Sequence, residues 1–163
     1  MAIVVREVPA DQIEDVIPVL LLAEGSERAL RWSLAHLADT VYRMDADGEL
    51  IGAATIRWNS EPCEIMELAI DEQHQGQGMG KRFVAWLIDE AGRRRKKQML
   101  VGTANSSIPN IAFYQKCGFR MDHIRHDYFR YYREPMYENG IEIRDMLVFS
   151  YDLSARSERR TAR

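Results

Sequence analysis

Three glycines at alternate positions, Gly76, Gly78 and Gly80, interrupt the chain between an apolar run at 63–70 and an amphipathic run that begins at Lys81. Glycine weakens helix and strand interiors and is kept where backbone must turn sharply or approach something closely. The stretch "DEQHQGQGMGKRF" (71–83) is therefore a tight connection from a strand into a helix. Exposed N–H groups of such a turn, backed by the helix dipole, form a recurrent cradle for phosphate oxygens.

The rest of the chain supplies alternating elements. "IVVREV" (3–8) alternates as a strand. A helix follows with Asp11 as its N-cap, apolar residues at 13, 16, 17, 20 and 21, and Pro18 kinking or ending it. Ser26 caps a second helix bearing Leu30, Leu34 and Leu37. Two strand-like runs within 40–58 are joined by Asp45-Ala46-Asp47-Gly48, a hairpin signal. "CEIMELAID" (63–71) is another strand, and Phe83, Leu87 and Ala91 mark the apolar side of the helix after the glycines. A short buried strand spans 98–104. Residues 106–119 read as a cap, a proline in the first turn, a helix and a Gly118 stop. Residues 119–129 look extended, 132–140 form a loop, and 141–153 form one final strand.

A hairpin-linked front half and a crossover-linked back half predict an α/β (α+β) fold. It has a mixed central sheet of about six to seven strands flanked by about four helices, in a single domain over 1–153. Residues 154–163 are expected to be a basic, disordered tail.

Composition narrows the function. With 163 residues, 46% of them hydrophobic, and a net charge of −3, the chain can bury a real core but is no general polyanion binder. The basic clusters at 92–97 and 154–163 read as a solvated helix end and tail, so nucleic acid is not an expected partner. No window holds the roughly 18 apolar residues of a membrane span, and Arg6 brings charge too early for a secretory signal. Cys63 and Cys117 sit in apolar contexts, as expected of reduced core thiols in a cytoplasmic protein. His123 and His126 lack a third ligand at diagnostic spacing, so no metal is expected.

Spacing tests the phosphate motif. A Walker A loop fails because position 75 is Gln and position 82 is Arg. The dinucleotide fingerprint fails because its third glycine would fall on Lys81. The pattern Gln/Arg-x-x-Gly-x-Gly fits without a gap, as Gln75-Gly76-Gln77-Gly78-Met79-Gly80. Here the sequence resembles the GCN5-related N-acetyltransferase (GNAT) family. "LAIDEQHQGQGMGKRFVAWL" (68–87) resembles its acetyl-CoA signature, and "ANSSIPNIAFYQKCGF" (104–119) resembles its second signature.

That resemblance implies transfer of acetyl from acetyl-CoA, a cosubstrate, directly to a primary amine. It implies that Gln75, Gly76, Gln77, Gly78, Met79, Gly80 and Lys81 hold the pyrophosphate. Leu68, Ala69 and Ile70 would pair with the pantetheine arm, and Asn105 would hydrogen-bond it, although the family's more usual asparagine position is Ser107 here. Tyr114 matches the family's general acid; a phenol with a pKa of about 10 is protonated at neutral pH. The base comes from the strand before the loop, as Glu64 or alternatively Glu67. Strict alternation puts Glu64 with Met66, Leu68 and Ile70 on one face and Glu67 on the other, unless a bulge swaps them. Burial would raise the pKa of such a carboxylate, as deprotonation of an ammonium requires.

The acceptor, a small-molecule or peptide amine, is not named by the sequence. The aromatic, basic segment 123–140 would wall its pocket, cover a sheet edge or form a homodimer contact. The alternative to catalysis is a non-catalytic acyl-CoA sensor of the same fold.

Overall fold

The computed structural model describes residues 1–154. Its strands and helices form the expected class: a mixed sheet of seven strands flanked by four α-helices, with a separate two-stranded ribbon. The chain divides into two compact units, residues 1–96 and the residues from 97 onward. Of the expected tail only Ser154 is described, with its N–H and hydroxyl donating to Asp152 Oδ1; 155–163 lie outside the described residues.

In the first unit β1 (Ile3–Glu7), β2 (Thr40–Ala46), β3 (Glu49–Arg57) and β4 (Cys63–Ile70) pair antiparallel in that order. The β2–β3 hairpin turns at Asp47 and Gly48, with φ of 50° and 87°, the conformation an Asp-Gly pair adopts most readily. Helices α1 (Ile13–Leu20) and α2 (Glu27–His36) cross from β1 to β2, and α3 (Met79–Arg93) follows β4. Val16, Ile17 and Leu20 of α1 meet Leu30, Val41 and Ala53 in one buried cluster. Met79, Phe83, Val84, Leu87, Ile88 and Ala91 form the buried stripe of α3, which packs on β4.

Two details of this first unit depart from the sequence reading. Asp11 does not cap α1. It lies inside a 3₁₀ turn at Ala10–Gln12, closed by the Gln12 N–H on Pro9 O, and α1 starts only at Ile13. Pro9 begins the turn with its fixed φ of −67°, and that displaces the helix start. The basic run after α3 is also not simply solvated. The Arg94 guanidinium lies 4.7 Å from the Trp58 ring centroid and donates to Tyr42 Oη at 3.3 Å, and Arg93 lies 5.7 Å from that of Trp86. Lys96 Nζ donates to Ser60 O. Arg94 and Lys96 tie the end of α3 to β2 and to the segment after β3, while Arg93 stacks on a ring of its own helix.

Ser26 does cap α2: its hydroxyl accepts from Ala29 N–H at 3.2 Å. We expect Ser26→Ala to cost about 1 kcal/mol by denaturant titration.

In the second unit β9 (Met146–Asp152) runs between β5 (Gln98–Ala104) and β6 (Arg120–Arg125), antiparallel to both. Helix α4 (Ile108–Lys116) carries Pro109 in its first turn, and Gly118 follows with φ of 98°. The expected single strand at 141–153 is in fact split. Ile141–Glu142 (β8) pairs with Tyr137–Glu138 (β7) around a tight turn at Asn139 and Gly140, and the sheet strand begins at Met146.

Candidate active site

The strand-to-helix connection takes the geometry its glycines permit. After β4 a 3₁₀ turn at Glu72–His74 leads to Gly76 and Gly78, with φ of 72° and 80°. A Cβ at either would meet no atom within 4 Å, so backbone conformation rather than crowding demands glycine there. Gly78 occupies the N-cap position of α3 with no side-chain cap, and the helical ladder opens with Arg82 N–H donating to Gly78 O. The N–H groups of Met79, Gly80 and Lys81 precede that ladder and point from the helix N-terminus. Met79 is buried and anchors this turn, whereas Gln77, Lys81 and Arg82 are exposed. Two side-chain amides brace the loop: Gln75 Nε2 donates to Ile70 O at 2.8 Å, and Gln77 Nε2 to Gln73 O at 2.9 Å. Leu68, Ala69 and Ile70 continue β4 opposite Ala54, Ala53 and Gly52.

The two candidate carboxylates lie together, which overturns strict alternation. Glu67 pairs with Thr55, but the next residue of β3, Ile56, pairs with Ile65, so Met66 is an extra residue in a bulge. Across it parity flips. Glu64 stands opposite Arg57, and Glu67 opposite Thr55, and residues 55 and 57 share a face. Glu64 is 3% exposed, and its Oε2 lies 3.8 Å from Arg57 Nη2. Glu67 is half-buried and doubly tied to Thr55: its carboxylate accepts from the Thr55 hydroxyl, and its N–H donates to Thr55 Oγ1 at 3.1 Å. Burial pushes the Glu67 carboxyl above its ordinary range. The hydroxyls of Thr55 and Ser33 oppose this, while the charges of Glu24 and Glu64 add to it.

In the second unit Tyr114 is buried on α4 among Phe113, Phe119 and Phe149, with ring centroids 5.1, 5.9 and 6.2 Å away. Burial pushes its phenol well above the ordinary range, with Cys117 adding to the effect, so the hydroxyl stays protonated throughout the neutral range. Asn105, just past β5, spends its side chain within the protein. Its Oδ1 accepts from Arg144 and Asp145 N–H, and its Nδ2 donates to Glu142 O at 3.1 Å. Among the described residues the second amide N–H meets no acceptor.

Asn105 thereby holds the backbone of Glu142 and Arg144, two residues that line a cavity. The cavity, about 290 Å³, is lined by Phe129, Tyr132, Met136 and Ile143 together with arginines 130, 133 and 144 and the carboxylates of Asp127, Glu134 and Glu142. The rings of Phe129 and Tyr132 stack within 11° of parallel, 6.2 Å apart. The Asn139-Gly140 dipeptide was the available signal for the hairpin beside it. His123 pairs with Asp122 at 2.7 Å, and His126 lies 3.9 Å from Asp145. No helix among the described residues is long and apolar enough to cross a membrane.

These features match a known family. The profile of the "Acetyltransferase (GNAT) family" fits residues 12–119. The chain is 36% identical over 142 residues to "Uncharacterized N-acetyltransferase YvbK" of Bacillus subtilis, covering 86% of this chain and 90% of that one. Among solved structures it is similar to an IAA acetyltransferase from Bacillus cereus, at 34% identity and a TM-score of 0.82, covering 93% and 99% of the two chains. A GNAT family acetyltransferase from Elizabethkingia anophelis with acetyl-CoA bound aligns at 32% identity and a TM-score of 0.82, over 92% and 97%. With an uncapped glycine-rich helix start and the profile match spanning both signature blocks, the chain belongs to the acetyltransferase (GNAT) family.

Proposed function

We propose that residues 1–153 form one acetyltransferase domain that moves the acetyl group of acetyl-CoA onto a primary amine. The observation that carries this reading is the N-terminus of α3, opened by Gly78 in the left-handed conformation with no side chain over it. Backbone N–H groups at 77–81 would receive the pyrophosphate there, with Lys81 and Arg82 adding positive charge at the surface. Acetyl-CoA supplies an activated thioester. The reaction forms an N–C bond to the acetyl carbon and breaks the C–S bond, so the amine loses a proton and the sulfur gains one. Glu67 takes the amine's proton. Its burial supports this role, since a carboxyl with a raised pKa matches a general base working near neutrality. Glu64, ion-paired to Arg57, supplies negative charge beside it. Tyr114 delivers the proton to sulfur, and the last amide N–H of Asn105 serves the pantetheine arm. The segment 126–145, with its aromatic and zwitterionic cavity, walls the acceptor site. The acceptor is a small-molecule or peptide amine, met in the cytoplasm.

A panel of amines assayed by free thiol release from acetyl-CoA tests the reading. Acceptor-dependent release supports it; hydrolysis alone at every amine refutes it. Tyr114→Phe should lower kcat by about 10²-fold, the low end for general acid catalysis, and leave acetyl-CoA affinity unchanged. The effect is modest because a thiol, with a reference pKa of about 8.5, departs more easily than a phenol gives up its proton. Wild-type kcat at every pH would remove Tyr114 from the acid role.

A further inference from the structure

We propose that the acceptor is a free amino acid, and that the cavity of the second unit recognises it by its carboxylate, with Arg144 as the anchor. The inference rests on the reading that the segment 126–145 walls the acceptor site, and it names the class of amine that site takes. Arg130, Arg133 and Arg144 line one cavity of about 290 Å³ together with Asp127, Glu134 and Glu142. Elsewhere the chain joins such groups: Arg31 bridges Glu14 and Glu27, and Arg94 holds Glu90. Around the cavity, no ion pair among the described residues joins a guanidinium to a carboxylate. Both signs are therefore open to a ligand. A zwitterion, with one ammonium and one carboxylate, satisfies them together, whereas a diamine brings two more cations up to three arginines.

Size and wall narrow the class further. Ligand pockets run from about 300 to 1,000 Å³, so this one has room for a single small molecule. Phe129, Tyr132, Met136 and Ile143 give it an apolar wall on which a side chain can pack. That wall is braced by its own backbone. Phe129 N–H donates to Arg144 O at 3.1 Å, and Ile143 N–H to Met136 O at 2.8 Å. Arg144 N–H donates to Asn105 Oδ1 at 3.0 Å, so the main chain of Arg144 is held on both sides. A residue fixed in this way loses less freedom when its side chain takes a ligand. Its guanidinium can meet a carboxylate with two parallel N–H···O bonds, a fork that an ammonium does not reproduce. The carboxamide of the same amino acid keeps the amine and the side chain but offers no charge to that fork.

The experiment follows thiol release from acetyl-CoA with the standard amino acids, with their carboxamides, and with the diamine putrescine. It is run on wild type, Arg144→Ala and Arg144→Lys, with acetyl-CoA affinity and melting temperature measured in parallel. In wild type, kcat/KM for the best amino acid should exceed that for its carboxamide by about 10- to 100-fold, as expected for hydrogen bonds between charged groups. Arg144→Ala should bring the two within a few-fold of each other, through a rise in KM for the acid. Arg144→Lys, which keeps the charge without the fork, should restore part of the preference. Arg144 is exposed, so melting temperature and acetyl-CoA affinity should not change. The ratio of acid to carboxamide is the deciding readout, because a merely structural loss lowers both acceptors together. A carboxamide or putrescine used as well as any amino acid overturns the proposal and leaves acetyl transfer standing. A preference for the acid that survives Arg144→Ala overturns the anchor. Release with no amine at all overturns the transfer reading and this inference with it.

Discussion

Gly78→Glu should abolish measurable acetyl-CoA binding while the protein stays folded. Two effects act at this position, and they fall on different quantities. Gly78 has φ of 80°, so any side chain there strains the backbone by roughly 1–2 kcal/mol, a cost borne by stability. A Cβ meets no protein atom within 4 Å, so bulk does not disturb the fold. The charge acts on binding: a carboxylate about 4 Å from a phosphate repels it by about 4 kcal/mol at an effective dielectric of 20. That is a loss of nearly 10³-fold, larger than the strain. Gly78→Ala separates the two, losing about 1 kcal/mol of stability while keeping affinity within a few-fold. Calorimetry and thermal melting on both variants check the pair. Wild-type affinity in Gly78→Glu would refute the phosphate assignment.

Glu67→Gln should lower kcat/KM by up to about 10⁴-fold and, at the same time, stabilise the protein at neutral pH. The second expectation follows from proton linkage. Burial raises the Glu67 carboxyl above its unfolded value, so the folded chain binds that proton more tightly than the unfolded one. The resulting stability is full below the ordinary carboxylate pKa and is lost as pH rises through the raised folded value. Glutamine is neutral at every pH and still accepts the Thr55 hydroxyl, so it escapes the loss. The melting temperature of Glu67→Gln minus that of wild type should therefore rise from acid toward neutral pH. A difference that stays flat across that range would mean Glu67 is not held in the environment described. Stability given up where a charge is needed for chemistry is a familiar compromise of active sites.

The parts of this molecule that were legible in the sequence are those governed by local rules. Gly76 and Gly78 take the positive φ their residue type implies, Ser26 caps its helix, and Asp47-Gly48 turns its hairpin. The apolar stripe of α3 follows from spacing alone. What was hidden depends on partners far along the chain. The Met66 bulge inserts a single residue, which leaves the apolar pattern of β4 intact yet carries Glu64 and Glu67 to a common face. Nothing local in "CEIMELAI" marks it; the register against Thr55 and Ile56 does. Arg94 reads as a solvated charge until Trp58 and Tyr42, far earlier in sequence, come beneath it. That the Asn105 side chain is also held by residues 142–145 depends on chain that folds back from well beyond it. Asn139-Gly140 carried a plain hairpin signal, but the charged and aromatic residues before it masked the short strands on either side.

The donor-binding assignment makes a residue-level demand that amide-resolved NMR can read. Nitrogen-15 spectra would be titrated in parallel with coenzyme A and with pantetheine, which lacks the phosphates. The amides of Gln77 through Lys81 should shift strongly with coenzyme A and little with pantetheine. Coenzyme A binding that leaves those five amides unmoved would contradict the account.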